Sequence, residues 1–192
     1  MDTARRFDAV VLGASAGGVE AVCTLLGALP KDFAPAIVIV LHLPPNRTTA
    51  LPQLFSRYVS LPVKEAEDKE TILAGTVYLA PPDYHLLIEP DKRFALSADE
   101  PLHFSRPSID VLFESAAYAY RERLLALVLT GASSDGAEGL QAVRSLQGAA
   151  WVQDPAEASS SAMPGAAIAL AGADCILSLK DMAASLAALD KG

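Results

Sequence analysis

Three polar side chains in this sequence are of the types that carry out nucleophilic catalysis: Ser15, His42 and Asp135. An imidazole can take the proton of a serine hydroxyl, and a carboxylate can orient the ring and balance the charge that the ring then carries. We therefore expect Ser15 to be the nucleophile, His42 the general base and Asp135 the residue that orients His42. This chemistry requires a fold that brings the three side chains together.

Each of these side chains follows a segment that the sequence predicts as a buried β-strand. The segments are the mainly apolar runs Asp8–Leu12, Ala36–Leu41 and Leu124–Thr130. In an open α/β sheet, ligands bind at the carboxyl ends of the parallel strands, and adjacent strands lie about 4.8 Å apart. Side chains that leave neighbouring strand ends can therefore meet, and the glycine-containing loop 131–136 lets the third one reach them.

Strand-like runs alternate with helical patterns over most of the chain, which indicates an α/β fold with a mainly parallel sheet. The middle differs, because Thr76–Ala80, Tyr84–Glu89 and Arg93–Ser97 are short predicted strands separated by turns, as in an antiparallel meander insertion. Further strands are predicted at Ala149–Gln153 and Asp174–Ser178. The predicted helices are Val19–Leu29, Thr48–Tyr58, the helix with Ser108 as its N-cap, Ala137–Gln147, Pro164–Leu170 and Lys180–Leu189.

The turn after the first strand, Gly13–Gly17, fits the G-x-S-x-G pattern of a nucleophile elbow, in which a strand–turn–helix exposes the serine hydroxyl. Amides at the start of the following helix would face a developing oxyanion, so Ala16 and Gly17 are candidate donors. The order serine, histidine, aspartate differs from that of the α/β-hydrolases, so the sequence does not predict that fold.

The same residues also fit less specific roles. Gly13–Gly18 resembles a dinucleotide-binding loop with Ser15 at its middle glycine, but that motif predicts an acidic residue near the end of the second strand, where His42 stands. His42 alone fits a hydrogen-bonded core histidine, and Asp135 alone fits a helix cap. The joint placement of three reactive side chains favours the nucleophile hypothesis.

Composition limits the classes of protein to which the chain can belong. Hydrophobic residues make up 52% of its 192 residues, which excludes a disordered protein, and the net charge of −8 argues against nucleic acid or anionic lipid as a partner. No apolar run is long enough to cross a bilayer, so we expect a soluble, cytoplasmic protein without membrane insertion. Two distant cysteines and three dispersed histidines show no metal-ligand spacing, and no metal or cofactor is expected.

Seven short motifs occur in the same order as in a known family. They are Val10–Gly18, Leu41–Pro44, Ala80–His85, Arg106–Asp110, Leu129–Ala137, Gln153-Asp154 and Ala162–Pro164. Together they resemble the catalytic domain of CheB, the protein-glutamate methylesterase of bacterial chemotaxis, over nearly the whole chain.

The resemblance implies one catalytic domain over residues 1–192, with a Rossmann-like, doubly wound α/β sheet. It implies a serine carboxylic ester hydrolase that demethylates glutamyl esters on the cytoplasmic helices of a chemoreceptor or related sensory protein, and that deamidates certain glutamines there. The nucleophile, base and acid of the family fall on Ser15, His42 and Asp135.

Two positions depart from the family's pattern, because Ala16 stands where many members have threonine and Ala132 where many have methionine. Backbone amides at both places can still serve an oxyanion, so Ala132 joins Ala16 and Gly17 as a candidate cleft residue. The departures also allow an alternative, in which a weakly active or inactive domain binds a receptor or signalling partner. Typical members carry a receiver domain before the catalytic one, and no attached receiver domain is expected here.

Overall fold

The computed structural model describes residues 6–42 and 50–189. Its strands are β1 (Ala9–Ala14), β2 (Ala36–Leu41), β3 (Val63–Glu65), β4 (Val77–Leu79), β5 (His85–Ile88), β6 (Phe94–Ser97), β7 (Leu124–Val128), β8 (Ala149–Gln153) and β9 (Cys175–Leu177). Its helices are α1 (Gly18–Gly27), α2 (Leu51–Phe55), α3 (Ile109–Tyr120), α4 (Ala137–Ser145), α5 (Ala162–Ala171) and α6 (Leu179–Ala187), with a 3₁₀ turn at Arg121–Arg123.

Seven of these strands form one parallel sheet in the order β3-β4-β2-β1-β7-β8-β9, with helices on both faces. On one face, β1 and β2 contribute Val11 and Val38 to a buried cluster with α3, α4 and α5. On the other face, Val10 and Ile37 pack with α1 and α6. The predicted α/β class with a doubly wound, mainly parallel sheet is therefore confirmed, and β1 and β2 are buried over their full length because every side of them is covered.

The antiparallel insertion is confirmed as the two-stranded sheet of β5 and β6. Its predicted first strand was placed wrongly, because Val77–Leu79 pairs parallel with β2 and with β3 in the main sheet. The apolar residues of β4 are completely buried, as a strand between two neighbours requires. The sequence did not predict β3 at all, since Val63–Glu65 carries two charged residues in a three-residue edge strand.

Boundaries differ most where the sequence signal is weak. The helix predicted over Thr48–Tyr58 extends only from Leu51 to Phe55, and residues 48 and 49 lie outside the described part of the chain. Pro52 lies in its first turn, where a missing N–H is tolerated. The strands predicted at Ala36–Leu41 and Ala149–Gln153 are found with those bounds.

None of the helices within residues 6–42 and 50–189 has the length and apolar character needed to cross a bilayer.

Candidate active site

Ser15 and His42 follow adjacent strands at the same level of the sheet. β1 ends two residues later than predicted, because Ala14 pairs in register with Leu41 of β2. The His42 amide then donates to the Ala14 carbonyl over 3.0 Å, and the Ser15 amide donates to the Thr130 carbonyl over 2.9 Å. The first residue after β1 therefore lies beside the first residue after β2, as the strand-end argument predicts.

The two side chains are expected on the face of the sheet that α3 covers. Side chains alternate along a strand, and Val11 and Val40 lie in the buried cluster on the α3 side. Ser15 and His42 have the same parity as these residues. Gly13 lies between Val11 and Ser15, and a Cβ there would come within 2.3 Å of Cγ2 of Ile109, the first residue of α3. The glycine thus lets the start of α3 approach the sheet directly below the site.

His42 and Asp135 are in direct contact. Nε2 of His42 lies 2.8 Å from Oδ2 of Asp135, and the two side chains are 10% and 0% exposed. A buried carboxylate on one ring nitrogen fixes the orientation of the imidazole and stabilises its protonated form. This pair is the part of the predicted constellation that the fold brings within hydrogen-bonding distance.

The Asp135 carboxylate also caps a helix. Oδ2 accepts the Ile109 amide over 2.7 Å, and Oδ1 accepts the Asp110 amide over 2.9 Å and the Ser108 hydroxyl over 2.8 Å. Asp135 therefore satisfies the first amides of α3, and not those of the helix that follows it in sequence, as a simple cap would do. Ser108 is the N-cap residue of α3, as predicted, but its hydroxyl donates to Asp135 and accepts no amide of the helix.

The helix after Asp135 is capped in return by α3. Oδ1 of Asp110 accepts the amides of Gly136 and Gly139, at 2.9 and 2.7 Å, which lie at the start of α4. The two caps are reciprocal. Asp135, which precedes α4, caps α3, and Asp110, which lies in α3, caps α4. This reciprocal capping fixes the distance between the loop 131–136 and the start of α3.

The pKa values of the two neighbouring carboxyl groups are shifted in opposite directions. Burial alone would raise the pKa of Asp135, but the hydrogen bonds from His42 and the amides of α3 outweigh it and lower the pKa to about 2. Burial raises the pKa of Asp110 to about 7, assisted by the nearby charge of Asp135. Asp135 is therefore the group that holds a negative charge at neutral pH, as a partner of a protonated imidazole must.

The other ring nitrogen of His42 faces a serine that the sequence did not single out. Oγ of Ser105 lies 3.3 Å from Nδ1 of His42. Within residues 6–42 and 50–189, the Ser15 hydroxyl makes no hydrogen bond, and the His42 ring contacts Asp135 and Ser105. Since Asp135 occupies Nε2, Nδ1 is the nitrogen that remains for proton exchange with a nucleophile.

Candidate oxyanion donors lie in the turn after β1 and in the loop after β7. The described part of the chain offers no acceptor for the amides of Ala16, Gly17 and Ala132. Gly17 has a left-handed φ of 78°, and a Cβ there would lie 2.7 Å from Cβ of Ser159. Ala16 and Ala132 are exposed. The amides of Ala16 and Gly17, which lack an internal partner and adjoin the serine, are available to a developing negative charge.

Residues that sequence reasoning missed hold the serine turn in place. Oγ1 of Thr130 donates to the Ala16 carbonyl over 2.8 Å and accepts the Ser160 amide over 2.9 Å. The Thr130 amide donates to Oε1 of Gln153, which is buried at the end of β8. The position of Thr130 at a strand end was the available signal, but threonine has no reactive group that draws attention there.

His85 has a structural role. Its Nδ1 accepts the Ser108 amide over 3.1 Å, and Nε2 lies 3.1 Å from the Glu100 carbonyl oxygen. The ring is 2% exposed and connects β5 to the start of α3. His85 therefore helps to position the start of α3, which in turn holds Asp135.

Comparison with known proteins gives one consistent result. The family model described as CheB methylesterase matches residues 10–186. A Leptospira interrogans protein assigned as a protein-glutamate methylesterase/protein-glutamine glutaminase is 45% identical over 96% of this chain and 96% of its own. A protein-glutamate methylesterase/protein-glutamine glutaminase of Rhodospirillum rubrum is 38% identical over 93% of this chain and 48% of its own.

A solved structure agrees with these sequence relatives. The crystal structure of the Thermotoga maritima CheB methylesterase catalytic domain superposes with a TM-score of 0.90 at 33% identity, over 95% of this chain and 98% of that one. A fold match at this identity, together with a family model that spans both strand ends and the Asp135 loop, leaves one assignment. The chain belongs to the CheB methylesterase family of carboxylic ester hydrolases.

Proposed function

We propose that this chain hydrolyses glutamyl methyl esters on a chemoreceptor or related sensory protein in the cytoplasm, with Ser15 as nucleophile, His42 as base and Asp135 as the orienting acid. The single observation that carries the proposal is the 2.8 Å contact between His42 and the buried, ionised Asp135 beside Ser15. A hydroxyl next to such a pair is the arrangement used by serine hydrolases.

The acylation step begins at the hydroxyl of Ser15. Nδ1 of His42 takes the hydroxyl proton while the oxygen attacks the ester carbonyl, and Asp135 on Nε2 balances the charge of the imidazolium. The tetrahedral intermediate places a negative charge on the former carbonyl oxygen. Collapse breaks the bond to the methoxy group, which leaves as methanol with the proton from His42.

The deacylation step repeats the same chemistry with water. His42 takes a proton from water, the hydroxide attacks the acyl group on Ser15, and the serine oxygen leaves with the proton from the ring. The products are a glutamate side chain and the original enzyme. A glutamine amide would follow the same route with ammonia as the leaving group, which is the basis for proposing deamidation as a second activity.

The amides beside Ser15 support an oxyanion site in this mechanism. The N–H groups of Ala16, Gly17 and Ala132 have no acceptor among the described residues, and α1 begins at Gly18 with the positive end of its dipole toward the turn. Loss of one such donor typically costs about 10²–10³-fold in turnover. Alanine at 16 and 132 keeps the amide, so these departures from the family's pattern are compatible with activity.

A serine substitution tests the proposal directly. Ser15→Ala should reduce methanol release from a methyl-esterified receptor fragment by at least about 10³-fold, since the nucleophile is removed while the fold is kept. A fluorophosphonate probe should label the wild-type protein and not the variant.

Ser134→Ala is the matched control, because Ser134 is an exposed serine in the loop before α4 whose hydroxyl makes no hydrogen bond within the described residues. This variant should keep wild-type turnover and labelling. Wild-type turnover in Ser15→Ala would refute the role of Ser15. Absence of labelling in folded wild-type protein would refute hydrolysis and favour a binding domain.

A further inference from the structure

Outside the proposed triad, three side chains with metal-binding atoms converge from three elements. His103 lies in the segment before α3, Asp110 in the first turn of α3 and Glu138 in the first turn of α4. One ligand atom from each lies within 4.8 Å of the other two. Their separation in the sequence follows no metal-binding motif, so the cluster depends on the packing of α3 against α4.

One atom of this cluster points independently to a missing ligand. Oδ2 of Asp110 is buried and makes no hydrogen bond within the described residues, and the side chain is 10% exposed. The His103 ring lies within ion-pair distance of this oxygen. The other oxygen of this carboxylate is occupied by the two amides of α4. A buried carboxylate oxygen without a donor is costly, and a cation is the partner that such an oxygen accepts best.

The distance between the first two ligand atoms fits a shared metal ion. Nε2 of His103 lies 3.3 Å from Oδ2 of Asp110, but the ring N–H is not aligned for a hydrogen bond. In a tetrahedral site with bonds of about 2.0–2.1 Å, ligand atoms are about 3.3–3.4 Å apart. The imidazole and the carboxylate are thus spaced as two ligands of one ion.

We propose that His103, Asp110 and Glu138 form a binding site for a divalent transition-metal ion of the zinc type, with a fourth position open to water. An imidazole with two carboxylates suits zinc and its neighbours better than calcium or magnesium, which prefer all-oxygen sites. The site is separate from the proposed hydrolysis, and its existence does not depend on the role of Ser15.

An ion at this site would join three parts of the chain. It would attach the segment that carries His103 to the starts of α3 and α4, which the caps from Asp110 and Asp135 already connect. Ser105, which faces His42, lies two residues after His103. The ion would therefore hold the wall of the cleft that contains Ser105.

Metal titration of the full chain without an affinity tag tests this inference. Zn²⁺ added in competition with a chromophoric chelator should bind one ion per chain and raise the Tm. Co²⁺ in its place should give the intense visible absorption of a four-coordinate site. His103→Ala and Glu138→Gln should each weaken Zn²⁺ binding by at least about tenfold, since each removes a ligand.

Glu20→Gln is the matched control, because Glu20, like Glu138, is an exposed glutamate in the first turn of a helix. It should bind Zn²⁺ as the wild type does. Both test residues are exposed, so their variants should fold, and circular dichroism checks this. Absence of a one-to-one complex would overturn the proposal, as would unchanged affinity in both variants, which would place the ion elsewhere on the chain.

Discussion

At the scale of single residues, the two ring nitrogens of His42 make contacts of different length. Asp135 contacts Nε2 at 2.8 Å and Ser105 faces Nδ1 at the longer distance of 3.3 Å. In the proposed mechanism the nucleophile must exchange a proton with Nδ1. The Ser105 hydroxyl therefore competes with Ser15 for the nitrogen on which catalysis depends.

Ser105→Ala should increase the reactivity of Ser15. A neutral hydrogen bond contributes about 0.5–1.5 kcal/mol, so removal of the competitor should raise the rate of fluorophosphonate labelling by about 2- to 10-fold. Labelling rates for the wild type and variant measure this, with Ser134→Ala as the control for an added alanine nearby. A slower variant would contradict the expectation and show that the hydroxyl of Ser105 aligns the ring.

Sequence reasoning found the reactive side chains that follow strands and missed Ser105, which follows none. Ser15, His42 and Asp135 could be predicted because each follows a long apolar run whose direction fixes its place on the sheet edge. Ser105 lies in an irregular segment before α3, and its approach to His42 depends on how that helix docks. No local pattern in the sequence contains that information.

At the scale of elements, the start of α3 is the part that assembles the site. Ile109 packs where Gly13 of β1 has no side chain, and its amide donates to Asp135. The docking of α3 on the sheet therefore also orients the Asp135 carboxylate. The sequence predicted α3 and the glycine turn separately, but their contact is a tertiary property that neither pattern expresses.

Gly13→Ala should disturb stability and activity together. A Cβ would meet Cγ2 of Ile109 at 2.3 Å, and overpacking of this kind typically costs about 1–3 kcal/mol of unfolding free energy. Turnover should fall as well, because the displaced Ile109 amide no longer holds Asp135. Urea denaturation and methanol release measure the two effects.

Gly165→Ala is the control for this change, because a Cβ at Gly165 in α5 meets nothing within 4 Å. It should leave activity unchanged and stabilise the helix by up to about 1 kcal/mol. Ile109→Ala should cost less stability in the Gly13→Ala background than in the wild type, since in that background it also removes the clashing methyl group. Equal costs in the two backgrounds would show that the clash is not the cause.

At the scale of the whole molecule, the sheet order places the carboxyl ends of β1, β2 and β7 side by side at its centre. The alternation of apolar strands and amphipathic helices was enough to predict this class of fold and the neighbouring strand ends. It was not enough to predict β3 or the parallel pairing of β4, because three-residue strands take their partners from the rest of the sheet.

The stability of the molecule should fall in alkaline solution because of Tyr120. Burial, with the charge of Asp8, raises its pKa to about 12, against about 10 in an unfolded chain. The folded state therefore binds the phenol proton more tightly, so the stabilisation is complete below pH 10 and is lost between about pH 10 and 12, up to about 2–3 kcal/mol.

Tyr120→Phe should remove this part of the pH dependence, as urea denaturation at pH 8 and near pH 11 can measure. Tyr118→Phe is the control, since Tyr118 lies on the same helix but is 62% exposed, and it should leave the profile unchanged. Equal alkaline losses in the wild type and in Tyr120→Phe would contradict the prediction.

Because α3 and α4 cap each other through Asp135 and Asp110, the geometry of the proposed active site depends on both helices being folded at their starts. Asp135 cannot leave α3, nor Asp110 leave α4, without exposing amides that no other described group accepts. A partly unfolded molecule in which the start of α3 or α4 has frayed would therefore also have lost the position of Asp135 against His42. Slow hydrogen exchange at the Ile109 and Gly139 amides should therefore report the population of catalytically competent molecules, even without substrate.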